Sequence, residues 1–452
     1  MTTYLLIDII ILEKRGKCDK LERLLTNDLF LWKNKRNRRP LIITGSHQVG
    51  KTWLLKDFSE SYFEDSLYID LKKNYKVKSL FDDTISPRRS IEILGALFGK
   101  VIEPYKTLLI LDSIERIPSF EKVLKKFYDD ASQYLICCST TYQNINNDSG
   151  CFHILNLYPL NFEEFLLANG EDDLVDFFKS GALAYLPKLL ENKLIDYLKL
   201  YFIIGGMPAS VNSWVQSKDL SDVECTLNDI LNQFVSDFET LTDNKLKSKI
   251  NYVWRSLPKQ LSKENRKFMY STVRPGGRAR EYEEGLEWLL NHSYATPIWA
   301  RKDTTTANDC KVDLKSFRVF LPDIGLLRMI YQIQPSLIES QNKIFQDHNY
   351  SLTLQFVFQE LVTKLPIENI NYWSSGATAE IDFLFQYNQI IYPLEINVYD
   401  NLKARSTRIY EERFHPQRVL RVSLSPLRIK NSFVNIPLHL LFNLENYFLN
   451  LL

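Results

Sequence analysis

The stretch PLIITGSHQVGKTWLL, residues 40–55, decides how the first part of this chain folds. It joins an apolar run typical of a buried strand to a turn with two glycines and then to a helical pattern. The turn has the full spacing G-x-x-x-x-G-K-T from Gly45 to Thr52. Such glycines let backbone N–H groups face a phosphate, while the ammonium of Lys51 reaches the β- and γ-phosphates and the Thr52 hydroxyl binds Mg²⁺. The stretch therefore predicts a phosphate-binding loop, or P-loop.

We expect ATP with Mg²⁺ to be the ligand of this loop, and the helix that follows directs its positive end at the same anion. The residues expected to bind the nucleotide are Gly45, Ser46, His47, Gln48, Val49, Gly50, Lys51 and Thr52. A glycine turn without a ligand is the alternative, but it leaves Lys51 unexplained.

A second stretch, TLLILDSIERI at residues 107–117, predicts a buried strand that ends at Asp112. Asp112 would hold Mg²⁺ through water, together with Thr52; the alternative is an aspartate that only caps a helix. P-loop ATPases usually carry a glutamate directly after this aspartate, where it polarises the attacking water, and Ser113 takes that place here. Because a hydroxyl has no useful basicity near neutral pH, we expect ATP binding with slow or absent hydrolysis.

Two further residues are candidates for catalysis. Glu115 lies two residues beyond Ser113 and would share its side if the strand continued, whereas a turn after Asp112 would direct it elsewhere. Ser139 closes the apolar run YLICCS and would act as a polar sensor between the Mg²⁺-bound phosphate and Asp112. An ordinary turn serine is the alternative reading of Ser139.

The composition is that of an ordinary globular protein. A chain of 452 residues suggests about three domains, and a net charge of +1 gives no overall attraction to nucleic acid or an anionic membrane. Six cysteines without C-x-x-C spacing indicate neither a zinc site nor a disulfide framework, which favours a reducing, cytoplasmic compartment. The apolar run YLLIDIIIL at residues 4–12 is too short to span a membrane, so we expect no membrane contact.

The periodicity of the apolar residues divides the chain into four parts. Residues 1–160 are expected to form an α/β core with a parallel sheet, because residues 40–160 alternate short apolar runs with amphipathic stretches. Residues 161–245 have helical periodicity and predict a helical lid. Residues 246–310 contain two or three helices and then an alternating stretch, an order that resembles a winged-helix module. Residues 311–452 predict an α+β domain with a hairpin over IDFLFQYNQIIYPLEIN.

Together these features resemble a large prokaryotic family of AAA+-type P-loop ATPases that carry a C-terminal domain of unknown function with a restriction-endonuclease-like fold. The stretches that carry the resemblance are RRPLIITGSHQVGKTWLL, LYPLNFEEFL, YFIIGGMPASV, SDFETL, SLPKQLSKENRKFMYS, GRAREYEEGLEWLL, FLPDIGLL and AEIDFLFQYNQIIYPLEIN. They imply an ATPase core, a helical lid, a winged helix and a nuclease-like domain. The chain departs from the family at His47, where arginine is usual, at Ser113 and at Asn397.

The resemblance also implies a second candidate site. Endonucleases of this fold hold a divalent ion between two carboxylates and orient water with the lysine of a Glu-x-Lys motif. Asp382 and Glu395 stand at the carboxylate positions, Glu360 on the preceding helix is a third acid, and Asn397 replaces the lysine. Because an amide supplies no positive charge, we expect a degenerate nuclease site, unless Lys403 has taken over the lysine's role.

The leading hypothesis is an ATP-binding switch of AAA+ type with slow or absent hydrolysis. The alternatives are an ATP-regulated DNA-binding protein or nuclease, and a degenerate interaction scaffold. DNA would be bound by the C-terminal domain or by the winged-helix segment, whose last helix begins with Arg278 and Arg280 but also carries glutamates that dilute a basic face. These arginines could instead face the nucleotide or a carboxylate of the chain. A protein partner or a homo-oligomer is also open.

Overall fold

The computed structural model describes residues 21–82, 84–180, 187–302, 312–339, 342–376, 379–399, 405–430 and 432–444. The apolar run at residues 4–12 and Lys403 lie outside the described residues. The chain forms two compact units, which are described separately. The core unit comprises residues 23–158 with residues 289–294, and the large unit comprises residues 159–288 and the chain from residue 295 onward.

The core unit is built on a five-stranded parallel sheet. Its strands are β1 Leu41–Thr44, β2 Asp65–Asp70, β3 Thr107–Asp112, β4 Leu135–Thr140 and β5 His153–Asn156. Their order in the sheet is β2-β3-β4-β1-β5. Its helices are α1 Leu25–Asn34, α2 Lys51–Tyr62, α3 Pro87–Phe98 and α4 Phe120–Asp130. The alternation of strands and helices predicted for this part of the chain is confirmed.

The apolar runs of the three central strands β3, β4 and β1 are continuous because these strands are buried on both faces. Ile42, Leu109 and Ile136, from three adjacent strands, are each at most 1% exposed and pack in one cluster. Each such side chain contributes about 1.5–3 kcal/mol when it is fully buried. The sheet is therefore firmly packed. The carboxyl ends of β1, β3 and β4 lie at the same edge of the sheet, and polar residues follow them there.

The large unit begins with helices, as the periodicity predicts. They are α5 Phe162–Ala168, α6 Asp172–Lys179, α7 Lys188–Ile204, α8 Pro208–Ser217, α9 Leu220–Glu239, α10 Asn244–Leu261, α11 Tyr270–Val273 and α12 Ala279–Asn291. Asn161 begins α5 with a capping box, in which its side chain accepts the N–H of Glu164 and the Glu164 carboxylate accepts the N–H of Asn161. No helix among the residues that the structure describes is long and apolar enough to cross a membrane.

Two stretches that carry the family resemblance pack against each other in this unit. Gly205 has φ +75°, and a Cβ there would lie 2.1 Å from Oδ1 of Asp323, so only glycine fits. Oδ2 of Asp323 accepts the N–H of Gly206 at 2.6 Å, and its Oδ1 accepts the N–H of Gly325 at 2.8 Å. The GGMP and PDIG sequences therefore meet through one buried carboxylate that satisfies backbone donors of both.

The rest of the large unit contains an eight-stranded mixed sheet. The strands are β6 Thr296–Arg301, β7 Val312–Phe320, β8 Ile370–Ser374, β9 Glu380–Tyr387, β10 Ile390–Asn397, β11 Val419–Ser423, β12 Arg428–Lys430 and β13 Phe433–Pro437. Their order in the sheet is β12-β13-β11-β10-β9-β8-β6-β7. The helices are α13 Ile324–Ile330, α14 Lys343–Val362, which is interrupted at residues 347–350, and α15 Arg405–Phe414.

The alternating stretch assigned to a separate β-wing belongs to this large sheet. β6 pairs with β7 on one side and with β8 on the other. The predicted boundary between residues 310 and 311 therefore falls between two strands that are paired with each other. Without β6, β8 would have an unpaired edge, and the backbone groups of β6 form the hydrogen bonds that continue the sheet there. The winged-helix fold itself stays a prediction.

Candidate functional site

The predicted phosphate-binding loop connects β1 to α2 at the carboxyl edge of the parallel sheet. Gly45, Gln48 and Gly50 have positive φ angles of 154°, 63° and 94°. A Cβ on Gly45 would lie 2.1 Å from the carbonyl oxygen of Leu157, so the position requires glycine. Because α2 begins at Lys51, its first N–H groups have no partner within the helix and can donate to a phosphate.

The ammonium group of Lys51 lies inside this loop. Its Nζ donates hydrogen bonds to the carbonyl oxygens of Gly45 and Ser46, both at 2.7 Å. Burial lowers the pKa of Lys51 to about 7, while the negative charges of Glu115 and Asp112 oppose that decrease. The side chain is thus placed at the loop, and an anion would favour its charged form.

Asp112 ends β3 and is bound by three hydroxyl groups. Its Oδ2 accepts hydrogen bonds from Thr52 and Tyr68, each at 2.7 Å, and its Oδ1 accepts one from Ser139. Burial alone would raise the pKa of Asp112, but these hydrogen bonds and the charge of Lys51 hold it below its ordinary value. The carboxylate is therefore ionised at neutral pH and contacts the hydroxyl predicted to share Mg²⁺ with it.

The donor atoms at this edge fit a magnesium ion. Thr52 offers a hydroxyl and Asp112 a carboxylate, and Mg²⁺ usually takes one or two protein ligands and completes its shell with phosphate oxygens and waters. Asp70 ends the neighbouring strand in register with Asp112, so a second carboxylate ends at the same edge. Within the described parts of the chain, no cluster of three or more His, Cys, Asp or Glu side chains forms a metal site alone.

Ser139 lies between the strand of Asp112 and the strand of the P-loop. It is 1% exposed, pairs in register with Ile43 of β1 and Asp112 of β3, and lines the cavity beside Lys51. Its Oγ donates to Asp112 and accepts the N–H of Ser113 at 3.3 Å. These contacts orient the Asp112 carboxylate, and a role of Ser139 as a sensor stays a prediction.

The chain turns immediately after Asp112. Ser113 adopts the left-handed conformation with φ 65°, and a short 3₁₀ turn covers residues 114–116. This turn returns Glu115 to the edge of the sheet, where its Oε2 accepts the hydroxyl of Thr140 at 2.7 Å. The negative charge of Glu115 also opposes the lowering of the pKa of Lys51. The turn therefore brings Glu115 toward the P-loop, although the strand does not continue.

Sequence reasoning missed several residues of the cavity, whose volume is about 440 Å³. Tyr68, Lys72 and Trp53 all line it. Tyr68 binds Asp112, and the positive charge of Lys72 further lowers the pKa of Lys51. A signal existed in the run SLYIDL, because Tyr68 and Asp70 share one face of a strand that ends in a carboxylate. The sequence did not show that this strand lies beside β3.

His47, which departs from the family, has a partner distant in sequence. Its ring stacks on that of Tyr294, with 5.7 Å between the ring centroids and 23° between the planes. The segment of Tyr294 is further bound to the end of β4, since the N–H of Gln143 donates to the carbonyl of Asn291 at 2.8 Å and the Ser293 hydroxyl donates to the carbonyl of residue 141 at 2.5 Å. Residues 289–294 thus complete one side of the core unit.

In the large unit, Asp382 of the predicted nuclease-like site is surrounded by donors. Its Oδ2 accepts the backbone N–H of Ile396 at 2.8 Å, and its Oδ1 accepts the hydroxyl of Tyr350 at 3.2 Å. The guanidinium of Arg266 lies 3.9 Å from the same Oδ1, and Nη1 of Arg318 donates to the Asp382 carbonyl at 2.9 Å. Two arginine side chains therefore lie beside Asp382.

Glu395 is likewise paired within the chain. Its Oε2 accepts hydrogen bonds from Nε and Nη2 of Arg421, at 3.2 and 3.0 Å. Burial raises the pKa of Glu395, and the nearby charge of Asp382 adds to that rise, whereas Arg421 opposes it. Asp382 thus lies near enough to Glu395 for its charge to act on that carboxyl group, and the nuclease-like site stays a prediction. Asn397 ends β10 in register with Ser423 of β11.

Glu360 has different neighbours and does not complete this acidic pair. It is 1% exposed, and its Oε1 accepts the N–H of Phe162, the first residue of α5, at 2.8 Å. Burial raises the pKa of Glu360 to about 7; Lys364 opposes the rise, whereas Glu163 and Glu164 add to it. The expected third acid of the nuclease-like site is therefore corrected to a residue that caps a helix.

Comparison with protein-family models matches three successive stretches of the chain. Residues 37–166 match an AAA domain, residues 195–337 match a domain of unknown function, DUF8612, and residues 351–441 match another, DUF4143. With the parallel sheet and the P-loop geometry, this match identifies the first part of the chain as a P-loop ATPase domain of AAA type. A search of curated proteins found no match. The restriction-endonuclease-like fold of the C-terminal part stays a prediction.

The solved structures that the comparison matched share little sequence with this chain. The Walker-type ATPase PABY2304 of Pyrococcus abyssi is 13% identical, with a TM-score of 0.43 over 72% of this chain and 99% of that chain. The Aeropyrum pernix ORC1 protein, solved in complex with DNA, is 12% identical, with a TM-score of 0.27 over 72% and 90%. The signal transduction ATPase PH0952 of Pyrococcus horikoshii is 12% identical, with a TM-score of 0.27 over 78% and 47%. Scores of this size do not bear on function.

Proposed function

We propose that this protein binds ATP with Mg²⁺ in its P-loop site and acts as a nucleotide-dependent switch whose hydrolysis is slow or absent. The observation that carries the proposal is the convergence of Lys51, Thr52 and Asp112 on one cavity at the sheet edge. Lys51 would meet the β- and γ-phosphates, and Thr52 and Asp112 would hold the ion. Bound Mg²⁺ would neutralise phosphate charge. None of these contacts needs a carboxylate at residue 113.

The turn after Asp112 supports slow turnover. Ser113 is 8% exposed and offers a hydroxyl where a general base is usual. Glu115 is the nearby substitute, but its carboxylate already accepts the hydroxyl of Thr140. A water molecule would have to compete with that hydrogen bond before Glu115 could activate it. We therefore expect ATP to stay bound for a long time before it is hydrolysed.

A switch also needs a route from the nucleotide to the rest of the chain. Residues 289–294 form the end of α12 and the turn after it, and they belong to the core unit. Tyr294 in this segment stacks on His47 of the P-loop. A change in the loop on nucleotide binding would therefore reach α12 through the chain itself. Rearrangement at an element end is a usual way to convert ligand binding into a larger motion.

The acidic pair of the C-terminal part is included in the proposal as a structural cluster. Arg266 and Arg421 supply the positive charge beside Asp382 and Glu395 that a divalent ion would supply in a nuclease. A metal ion would have to displace these guanidinium groups. We therefore expect no metal-dependent cutting of DNA.

Thermal unfolding with and without ATP·Mg²⁺ tests nucleotide binding. At ATP about 100-fold above its dissociation constant, one-site binding stabilises the wild type by about 2.7 kcal/mol. Lys51→Ala should lose this stabilisation, whereas Lys122→Ala, which removes an exposed lysine of α4, should retain it. The proposal fails if the wild type shows no shift or if Lys51→Ala shifts equally.

Hydrogen exchange tests the switch separately. ATP should change the protection of α12 amides in the wild type and should leave it unchanged in Lys51→Ala. Stabilisation by ATP without any change in α12 would support a nucleotide site and contradict the route through residues 289–294.

A further inference from the structure

A tyrosine of the edge strand β2 reaches the aspartate that ends the neighbouring strand. Tyr68 pairs with Ile110 of β3, two residues before the register pair of Asp70 and Asp112. Its side chain extends toward the carboxyl edge of the sheet, where its hydroxyl donates a hydrogen bond to Oδ2 of Asp112 at 2.7 Å. The ring is half-buried and lines the nucleotide cavity. A side chain from outside both the P-loop and β3 therefore contacts the expected magnesium site.

Hydroxyl groups from three different elements hold the Asp112 carboxylate. Ser139 of β4 donates to Oδ1, whereas Tyr68 of β2 and Thr52 of α2 both donate to Oδ2. The strands on both sides of β3 thus fix the carboxylate. A carboxylate offers about four lone-pair positions, so these three bonds leave room for about one further donor, such as a water molecule.

The orientation of Asp112 decides what the Thr52 hydroxyl can offer to an ion. A hydroxyl has one proton and two acceptor lone pairs, and an ionised carboxylate can only accept. Thr52 is therefore the donor in its bond with Asp112, and its lone pairs are left for Mg²⁺. This arrangement lasts only as long as the carboxylate stays where the Thr52 proton can reach it.

The ring of Tyr68 is itself held by α2. Nζ of Lys56 lies 4.0 Å from the centroid of the ring, a distance at which a cation is attracted to an aromatic face. Lys56 follows Thr52 by four residues, so the two side chains lie on the same face of the helix. That face contacts Asp112 through Thr52 and Tyr68 through Lys56. Tyr68 is therefore fixed between α2 and β3 with its hydroxyl directed at Asp112.

We propose that Tyr68 is a positioning residue that makes ATP binding depend on Mg²⁺. Its hydroxyl holds Asp112 so that Thr52 presents its lone pairs to the ion, and the remaining acceptor position of the carboxylate is left for a water of the ion's shell. The Tyr68 hydroxyl makes no other hydrogen bond within the described part of the chain. This role rests on the proposed function, the binding of ATP with Mg²⁺ at the P-loop.

Calorimetry of ATP binding with excess Mg²⁺ and with EDTA tests this role. The ratio of the two association constants measures how much the ion contributes to binding. Tyr68→Phe removes the hydroxyl but keeps the ring and its contact with Lys56, so the variant should melt close to the wild type. It should lower the ratio about tenfold, because a hydrogen bond to a charged group is lost, and leave the affinity in EDTA unchanged. A merely structural loss would lower both constants alike.

A double-mutant cycle shows whether the effect passes through Asp112. Asp112→Asn should itself lower the ratio, and adding Tyr68→Phe to it should produce no further decrease, because residues that act through one another are not additive. Tyr75→Phe is the matched control, since it removes the same hydroxyl from a tyrosine that is 65% exposed and is not among the residues lining the cavity. It should leave both constants at their wild-type values.

Three outcomes would overturn the role of Tyr68. An unchanged ratio in Tyr68→Phe would show that the hydroxyl does not position Asp112. A raised ratio would show that it competes with the ion for the carboxylate, and additive effects in the double variant would show that it acts elsewhere. Each of these results leaves ATP binding intact. A wild type that binds no ATP, or Lys51→Ala that binds it equally well, would instead refute the nucleotide site and this role with it.

Discussion

The affinity for ATP should depend on the protonation of Lys51, because this lysine is buried before the nucleotide binds. Burial lowers its pKa from 10.5 to about 7; Glu115 and Asp112 oppose the decrease, and Lys72 adds to it. Bound phosphate would favour the charged form and raise the pKa again. Binding therefore takes up a proton above pH 7, and affinity falls as the pH rises through the lower pKa. Charged Lys51 falls from about 90% at pH 6 to about 10% at pH 8, so the association constant should fall about tenfold.

Calorimetry in two buffers of different ionisation enthalpy measures both the association constant and the number of protons taken up on binding. At pH 8 the wild type should take up about 0.9 proton through Lys51 on binding ATP·Mg²⁺. Lys51→Arg is the control, because a guanidinium stays charged throughout and reports only the titration of ATP and of other groups. Identical pH profiles and identical proton uptake in the wild type and in Lys51→Arg would refute the reasoning.

Three further predictions concern Ser113, Asp382 and Glu360. In single-turnover assays at saturating ATP, Ser113→Glu should hydrolyse about 100- to 10,000-fold faster than the wild type with unchanged affinity; a fast wild type that collapses in Glu115→Gln would instead make Glu115 the general base. The protein should not cut DNA with Mg²⁺ or Mn²⁺, and cutting that disappears in Asp382→Ala would contradict the arginine-neutralised cluster. Glu360→Gln keeps an acceptor for the N–H of Phe162 and should stabilise the protein at pH 8 but hardly at pH 5, because the native pKa of Glu360 is raised from 4.5 to about 7 and stability falls as the pH rises through that range. Urea unfolding at both pH values measures this, and an equal loss at each would show that the glutamine fails as an acceptor.

The local features of the nucleotide site could be predicted from short stretches of sequence. The strand before Gly45, the helix after Lys51 and the strand that ends at Asp112 each depend on apolar periodicity and on glycine conformations within a few residues. The capping box at Asn161 is local in the same way. Such features are set by neighbours along the chain, so one sequence is enough to show them.

Features that join distant segments were harder to predict. The prediction from sequence places the strand of residues 296–301 in a different module from the strand of residues 312–320, although the two strands pair, because a strand's pattern shows that it has a buried face but not which edge it joins. Glu360 was assigned to an acidic pair, although its partner is the N–H of Phe162, 198 residues away. The position of Glu360 in the sequence, before the nuclease-like motif, did not show which backbone N–H its carboxylate binds.

The sequence by itself determined that the first part of this chain is a P-loop domain, because the P-loop, its flanking strand and helix, and the strand end at Asp112 are local consequences of residue type and spacing. Only the tertiary structure decided what surrounds those residues. It places Tyr68 on Asp112, turns Glu115 back toward Lys51 and stacks Tyr294 on His47. The physical reason is that charge and hydrogen bonding act over a few ångströms in space, whatever the separation in sequence, and only the packing of the strands sets those distances.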